Sequence, residues 1–225
     1  MSVQNGSRKM NFKTEKMKAH TKETQASMTP QKALQYLKEG NKRFQNNLSA
    51  NRNLLQQVNE TTDGQFPFAT ILSCIDSRVS AELVFDQGLG DIFSIRIAGN
   101  FVNEDILGSM EFASKLAGTK LVVVLGHTSC GAIKGACDHA RMGNLTKLIQ
   151  KIEPAVEAVI EPKDESLRNS NNLEFVDTVA AKNVKLTIDK IRAESPILAE
   201  MEQKGEIMIV GAMYDLSDGS VSFDI

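Results

Sequence analysis

Three side chains of the kind that bind transition metals each follow a short apolar run. Cys74 comes after the run at residues 66–72, and His127 and Cys130 come after the run at residues 121–125. Two thiolates and one imidazole are a ligand set that zinc favours, and three protein ligands leave the fourth tetrahedral position open. If the two runs are neighbouring strands, the pattern predicts a catalytic site that holds one Zn²⁺ per chain.

An acid and a base follow the first cysteine, in the order Cys74-Ile75-Asp76-Ser77-Arg78. A carboxylate beside the metal can accept a hydrogen bond from zinc hydroxide, and a bidentate arginine can keep that carboxylate ionised and oriented. Asp76 and Arg78 are therefore candidate catalytic residues. In an alternative geometry, Asp76 binds the zinc itself and gives a closed, inactive state. The simpler alternatives are a buried structural thiol at Cys74 and an ordinary surface ion pair.

The elements that must position these residues are indicated by apolar runs without polar alternation, which is typical of strands buried on both faces. The runs are 66–72, 92–97, 121–125 and 206–212. Helical patterns lie between them, at 79–87, 104–117, 131–140, 144–160 and 173–193. This alternation predicts an α/β fold with a mostly parallel central sheet flanked by helices. Ligands bind at the carboxyl ends of such strands, where the metal-binding residues would converge.

The two ends of the chain have different characters. Residues 1–27 have no hydrophobic period and predict a flexible polar tail. Thr29 and Pro30 predict the cap and first residue of a helix that forms an N-terminal arm. Asp218 and Gly219 predict a hairpin turn. We expect residues 28–225 to form a single catalytic domain.

Gly131 directly follows the last candidate ligand and predicts the start of a helix. Backbone N–H groups at a helix N-terminus suit a small anion such as bicarbonate. Gly131 is therefore a candidate substrate-binding residue.

Composition excludes several classes of function. The formal net charge is −2, so no basic field would gather nucleic acid or an anionic membrane. No stretch approaches the ~18 apolar residues of a membrane span. The three cysteines are too few and odd in number for a secreted disulfide scaffold, which favours a reducing compartment, the cytoplasm. The tail is also compatible with a processed organellar segment.

The motifs Cys74-x-Asp76-Ser77-Arg78 and His127-x-x-Cys130-Gly131 together resemble the β-class carbonic anhydrases, over roughly residues 30–225. The resemblance implies reversible hydration of CO₂ to bicarbonate and a proton, by attack of zinc-bound hydroxide. It implies Cys74, His127 and Cys130 as the zinc ligands and Asp76 with Arg78 as the catalytic dyad. It also implies a homodimer or homotetramer.

The same resemblance implies three further substrate-pocket residues. Gln65 and Phe93 match positions that line the family's substrate pocket, and Phe112 stands where the best-studied members carry tyrosine. One subtype has a bicarbonate regulatory pocket that requires tryptophan and glycine where this chain has Ile71 and Ser73. We therefore expect the subtype without that pocket.

Two other functions are open at this point. The same zinc site would suit a hydrolase of a CO₂ analogue such as carbonyl sulfide or carbon disulfide. A non-catalytic zinc or thiol-redox module would also use cysteines, although a structural zinc site normally has four protein ligands. For Cys137, seven residues after Cys130, a packed core thiol is the expectation.

Overall fold

The computed structural model describes residues 18–223 and has one five-stranded sheet at its centre. The strand order is β2-β1-β3-β4-β5; the first four strands are parallel and β5 is antiparallel to β4. The strands are β1 (Ala69–Ser73), β2 (Ile92–Arg96), β3 (Leu121–His127), β4 (Met208–Tyr214) and β5 (Val221–Ser222). The predicted α/β fold with a mostly parallel sheet is confirmed.

The central strands are buried on both faces, as their apolar sequences predict. Every residue of β1 and of β3 is buried. In their register Ser73 pairs with Leu125. The segment after β1 and the end of β3 therefore lie at the same edge of the sheet.

Ten α-helices within residues 18–223 cover the sheet. They are α1 (Lys22–Ala26), α2 (Pro30–Gln45), α3 (Leu54–Glu60), α4 (Ala81–Val84), α5 (Glu104–Glu111), α6 (Gly131–Cys137), α7 (Gly143–Ile149), α8 (Glu153–Ala158), α9 (Leu173–Glu194) and α10 (Pro196–Gln203). A π-helical turn, Phe112–Leu116, continues α5, and a 3₁₀ turn spans Glu165–Leu167. Among the described residues, no helix is both long and apolar enough to cross a bilayer.

Two elements differ from the sequence prediction. The helix expected at 144–160 is divided into α7 and α8, and Pro154 lies in the first turn of α8, where its missing N–H is tolerated. The segment expected to be a flexible tail contains α1, which Thr21 caps. Gln25 of α1 is buried and donates to the carbonyls of Pro67 and Ala117, at 2.7 and 2.8 Å. Residues 1–17 of the expected tail lie outside the described part.

The helix predicted for the N-terminal arm is α2, capped by Thr29 with Pro30 at its start. Its carboxyl end is fixed to the body through Asp86, whose side chain is 4 % exposed. The Asp86 carboxylate accepts hydrogen bonds from Arg43, Arg52 and the Ala50 N–H. Burial opposes ionisation, but the hydrogen bonds outweigh it and lower the pKa of Asp86. This cluster ties α2 and the loop after it to the sheet domain.

We predict that Asp86→Asn lowers the free energy of unfolding by about 3 kcal/mol at pH 7, because the variant removes the buried carboxylate charge that both arginines contact. Since the folded-state pKa of Asp86 is lowered, the stability that this carboxylate contributes is fully present above its unfolded pKa of about 4. It is lost as pH falls through the folded pKa. Urea unfolding between pH 7 and pH 3 should show a constant gap in stability between wild type and variant down to about pH 4, and a narrowing gap below that pH. The exposed control Asp63→Asn should show no such gap; equal stability of Asp86→Asn and wild type at pH 7 would contradict the prediction.

Candidate metal centre

The three predicted ligands meet at the carboxyl edge of the sheet. Cys74 is the residue after β1, His127 is the last residue of β3, and Cys130 precedes α6. One potential ligand atom from each lies within 4.8 Å of the others, and the two sulfurs are 3.9 Å apart. All three residues are buried, at 4 %, 0 % and 1 % exposure respectively.

The geometry of this group fits zinc. With Zn–S bonds of about 2.3 Å, tetrahedral angles place two sulfurs about 3.8 Å apart, close to the separation seen here. His127 Nδ1 lies 2.9 Å from the Thr128 carbonyl oxygen, which can only accept, so Nδ1 carries the proton. Nε2 then presents its lone pair, and this buried atom has no hydrogen-bond partner among residues 18–223. The imidazole is therefore in the tautomer that a metal requires.

The two sulfurs cannot both ionise freely. A hydrogen bond from Cys130 outweighs burial and, with a hydrogen bond from the Gly99 N–H, lowers the pKa of Cys74. Donating that bond raises the pKa of Cys130. The pair thus favours one negative charge, because two thiolates this close would repel in a buried site. A divalent cation between them removes that repulsion and allows both to ligate.

Hydrogen bonds hold both residues of the turn between His127 and Cys130. The Thr128 N–H donates to the Tyr214 carbonyl at 3.0 Å, and the Thr128 hydroxyl accepts from the Leu216 N–H at 3.0 Å. The Ser129 N–H donates to Asp177 Oδ1 at 2.7 Å. Ser129 has a φ of +54°, in the left-handed region that non-glycine residues rarely adopt. The turn is therefore held by β4, by the segment after it, and by α9.

Asp76 and Arg78 form a bidentate pair. Arg78 Nε and Nη2 donate to Asp76 Oδ1 and Oδ2 at 2.9 and 2.7 Å, and the Arg78 N–H donates to Oδ1 at 3.0 Å. These hydrogen bonds hold the pKa of Asp76 well below its usual range. Asp76 is not a member of the ligand group. Its carboxylate is held by Arg78, which is the open arrangement of the two considered from the sequence.

Arg96 is a site residue that the sequence reasoning missed. It ends β2 opposite Ser73, and its guanidinium donates to the carbonyl oxygens of Cys74 and Asp76, at 3.0 and 2.6 Å. It therefore supports the backbone that carries the first ligand and the dyad. The only indication of this role in the sequence was that a basic residue stands at the end of the neighbouring predicted strand.

Of the four predicted substrate-binding residues, only Gly131 lies beside the metal centre within one chain. It is the first residue of α6, and a Cβ built there would meet nothing within 4 Å. The position of a Cβ on Gly131 is thus open space within the described part of the chain.

Gln65, Phe93 and Phe112 lie elsewhere. Phe93 pairs with Thr70, four residues before Cys74, which along a strand is about 13 Å. Gln65 is exposed in the loop that precedes β1, at the opposite end of that strand. The rings of Phe93 and Phe112 are 6.4 Å apart and line an open cleft of about 650 Å³. One chain does not bring these three residues to the metal centre.

Comparisons with known proteins agree with the site. The family model described as "Carbonic anhydrase" matches residues 69–221. Carbonic anhydrase 2 of Mycobacterium tuberculosis is 36 % identical over 202 residues, which cover 84 % of this chain and 90 % of that protein.

Two solved structures share the fold. The β-carbonic anhydrase CafA of Aspergillus fumigatus has a TM-score of 0.66 at 25 % identity, covering 73 % of this chain and 78 % of that one. A tetrameric β-carbonic anhydrase of Sordaria macrospora has a TM-score of 0.62 at 23 % identity, covering 72 % of this chain and 82 % of that one. With a family model that spans most of the residues and a bacterial relative aligned over nearly its whole length, this chain belongs to the β-class carbonic anhydrases, an enzyme family that hydrates CO₂.

Proposed function

We propose that this chain catalyses the reversible hydration of CO₂ to bicarbonate and a proton, with one Zn²⁺ held by Cys74, His127 and Cys130. The observation that carries the proposal is the convergence of one potential ligand atom from each of these three buried residues within 4.8 Å. Three protein ligands leave one tetrahedral position for a reactant, whereas a structural zinc site has four protein ligands. When bound, zinc supplies a Lewis acid that lowers the pKa of a water molecule toward neutrality.

The carboxylate of Asp76 is the group that orients the reacting water. Asp76 lies two residues after a ligand, and it accepts hydrogen bonds without being a ligand itself. A carboxylate oxygen that accepts the water's O–H directs an oxygen lone pair away from itself, toward the carbon of CO₂. Arg78 fixes the carboxylate in one orientation through two parallel hydrogen bonds.

Arg78 also sets the charge of this group. Because the pKa of Asp76 is held below its usual range, the carboxylate stays ionised throughout the neutral and mildly acidic pH range. Asp76 therefore acts as a fixed acceptor in the working pH range. The rise of activity above neutral pH that we expect then reports ionisation of the water and not of Asp76.

A complete substrate pocket would require a second copy of the chain. β2 is the edge strand on one side of the sheet, and within residues 18–223 no strand pairs with its free side. The ring of Phe112 lies against that of Phe93 in β2 and is 52 % exposed, and Leu116 in the same π-helical turn is 76 % exposed. An open edge with such a surface favours association. Since Phe93 and Phe112 are remote from their own metal centre, we assign them to an interface where they would serve the partner's site.

The proposal also favours a reducing compartment such as the cytoplasm. All three cysteines are free thiols. Cys74 and Cys130 must remain unoxidised to bind metal, and their sulfurs are close enough to form a disulfide in an oxidising compartment after a small movement.

The function is tested by metal analysis and stopped-flow CO₂ hydration on the same preparation. We predict about one zinc per chain and a hydration rate that rises from pH 7 to pH 9, because the reacting water must ionise. Cys74→Ser should lose both zinc and activity, because an alkoxide ligand is far harder to form than a thiolate. Cys137→Ala should retain both, since Cys137 is buried outside the ligand group. A zinc-loaded chain with no rate above buffer at pH 8.5 would refute the proposed function.

We predict that Asp76→Ala keeps its zinc but loses activity by about 100-fold or more, the range found when a proton-handling group is removed. Arg78→Ala should also keep zinc, and it should raise the pKa of Asp76 toward its usual value of about 4. Its activity should fall because the carboxylate is no longer held in one orientation. Zinc content and kcat/KM measured side by side, with the exposed Asp63→Ala as control, check this. Loss of zinc in Asp76→Ala would mean that the carboxylate supports the metal and does not orient water.

We predict that Phe112→Asp dissociates the assembly and lowers activity while leaving one zinc per chain, because the ligand group forms within one chain. Sedimentation velocity gives the oligomeric state and metal analysis gives the zinc content. Leu167→Asp is the matched control, because Leu167 is also about half exposed, at 49 %, and lies in the separate 3₁₀ turn. A wild-type chain that sediments as an active monomer would overturn the role given to Phe93 and Phe112.

A further inference from the structure

A single helix, α9, contacts the backbone of the turn that carries two ligands and that of Gly99, whose N–H donates to the third ligand. Asp177, Ala180, Asn183 and Val184 follow one another at steps of three, three and one residues, which places them on one side of the helix. That side lies against the carboxyl end of β3. A Cβ built on Gly126 would be 2.7 Å from Val184 Cγ2 and 3.7 Å from the Ala180 carbonyl oxygen. The helix and the strand therefore approach as closely as the glycine allows.

Asp177 fixes the segment that carries His127 and Cys130. Its Oδ1 accepts the Ser129 N–H at 2.7 Å, a short bond of the charge-assisted kind. Ser129 is the residue with left-handed backbone, a strained conformation that persists only when neighbouring groups hold it. Because Ser129 separates Thr128 from Cys130, its conformation sets the direction in which the Cys130 side chain leaves the turn.

Asn183 fixes the segment that faces Cys74. It is 3 % exposed, and its Nδ2 donates to the Gly99 carbonyl oxygen at 2.8 Å. The Gly99 N–H in turn lies 3.5 Å from Cys74 Sγ and donates to it. Gly99 has a φ of +79°, and a Cβ there would be 2.4 Å from Ile152 Cδ1, so only glycine fits. Asn183 thus holds the residue whose N–H donates to the first sulfur ligand.

We propose that Asp177 and Asn183 are positioning residues: from one helix, Asp177 holds the turn that carries His127 and Cys130, and Asn183 holds the loop residue Gly99, whose N–H donates to Cys74. Neither touches a ligand side chain; each acts through one backbone group, the Ser129 N–H or the Gly99 carbonyl. Groups that orient ligands in this way set how tightly a site binds its metal. The proposal rests on the proposed function only for the identity of the metal.

The test measures Zn²⁺ affinity by competition with a chromophoric chelator, on the full chain and without CO₂. Asp177→Ala and Asn183→Ala should each weaken zinc binding by about 10- to 100-fold, the usual cost of removing such a partner. Asp177→Asn should restore most of the affinity, because its amide oxygen can still accept the Ser129 N–H. In the cobalt-substituted protein, the thiolate charge-transfer absorption should shift in the two alanine variants and stay near wild type in Asp177→Asn.

Two substitutions on the same helix serve as matched controls. Asp189→Ala removes an exposed carboxylate of α9, and Thr187→Ala truncates a buried polar side chain of α9. Both should bind zinc as wild type does, even if urea unfolding shows that Thr187→Ala is less stable. If a variant at Asn183 does not fold, the comparison of Asp177→Ala with Asp177→Asn decides the proposal.

Unchanged zinc affinity in Asp177→Ala would overturn the proposal, as would equal losses in the control variants, which would indicate a general structural role for α9. A wild-type chain that binds zinc tightly but does not hydrate CO₂ would refute the proposed function and leave the positioning roles intact.

Discussion

The candidate metal centre depends on the register between β1 and β3. The two strands are parallel and aligned so that Ser73 stands opposite Leu125, and this brings a cysteine just past one strand to a histidine that ends the other. A slip of one residue would move Cys74 by about 3.3 Å and turn its side chain to the other face of the sheet. That register is enforced by burial, since every side chain of both strands lies in the core. Apolar packing therefore determines the distance between the ligands.

Charge is the second constraint on the site. A buried cysteine pair tolerates one negative charge, and the hydrogen bond between Cys130 and Cys74 shows how the two sulfurs share it. Asp76 carries a further negative charge nearby, which Arg78 balances. Arg78 thus balances the charge of Asp76, and two thiolates would balance the charge of a divalent cation. The centre as a whole would then be nearly neutral.

Local sequence patterns were sufficient to predict the sheet and the ligand group. The apolar runs predicted the four parallel strands, and the ligands follow two of those runs directly. Arg96, Asp177 and Asn183 could not be identified in this way, because their partners are backbone groups 20 or more residues distant, and only the assembled fold brings them together. Helix α1 was missed because its stability comes from the buried contacts of Gln25, which leave no periodic pattern in the sequence. Gln65, Phe93 and Phe112 were singled out by resemblance alone, and a single sequence does not show that they lie far from Cys74.

Tyr214 and Leu216 form hydrogen bonds with Thr128, and both residues follow the candidate ligands in the chain. The turn that carries two of the ligands can therefore be completed only late in protein synthesis. All three ligands are translated well before β4, yet the turn that carries two of them acquires its hydrogen bonds only when β4 pairs with β3 and the segment after it arrives. A nascent chain that stops short of residue 214 would carry every ligand with one side of the turn unsupported. Completion of the turn that carries two of the candidate ligands is in this way coupled to the last parallel strand of the sheet to emerge from the ribosome.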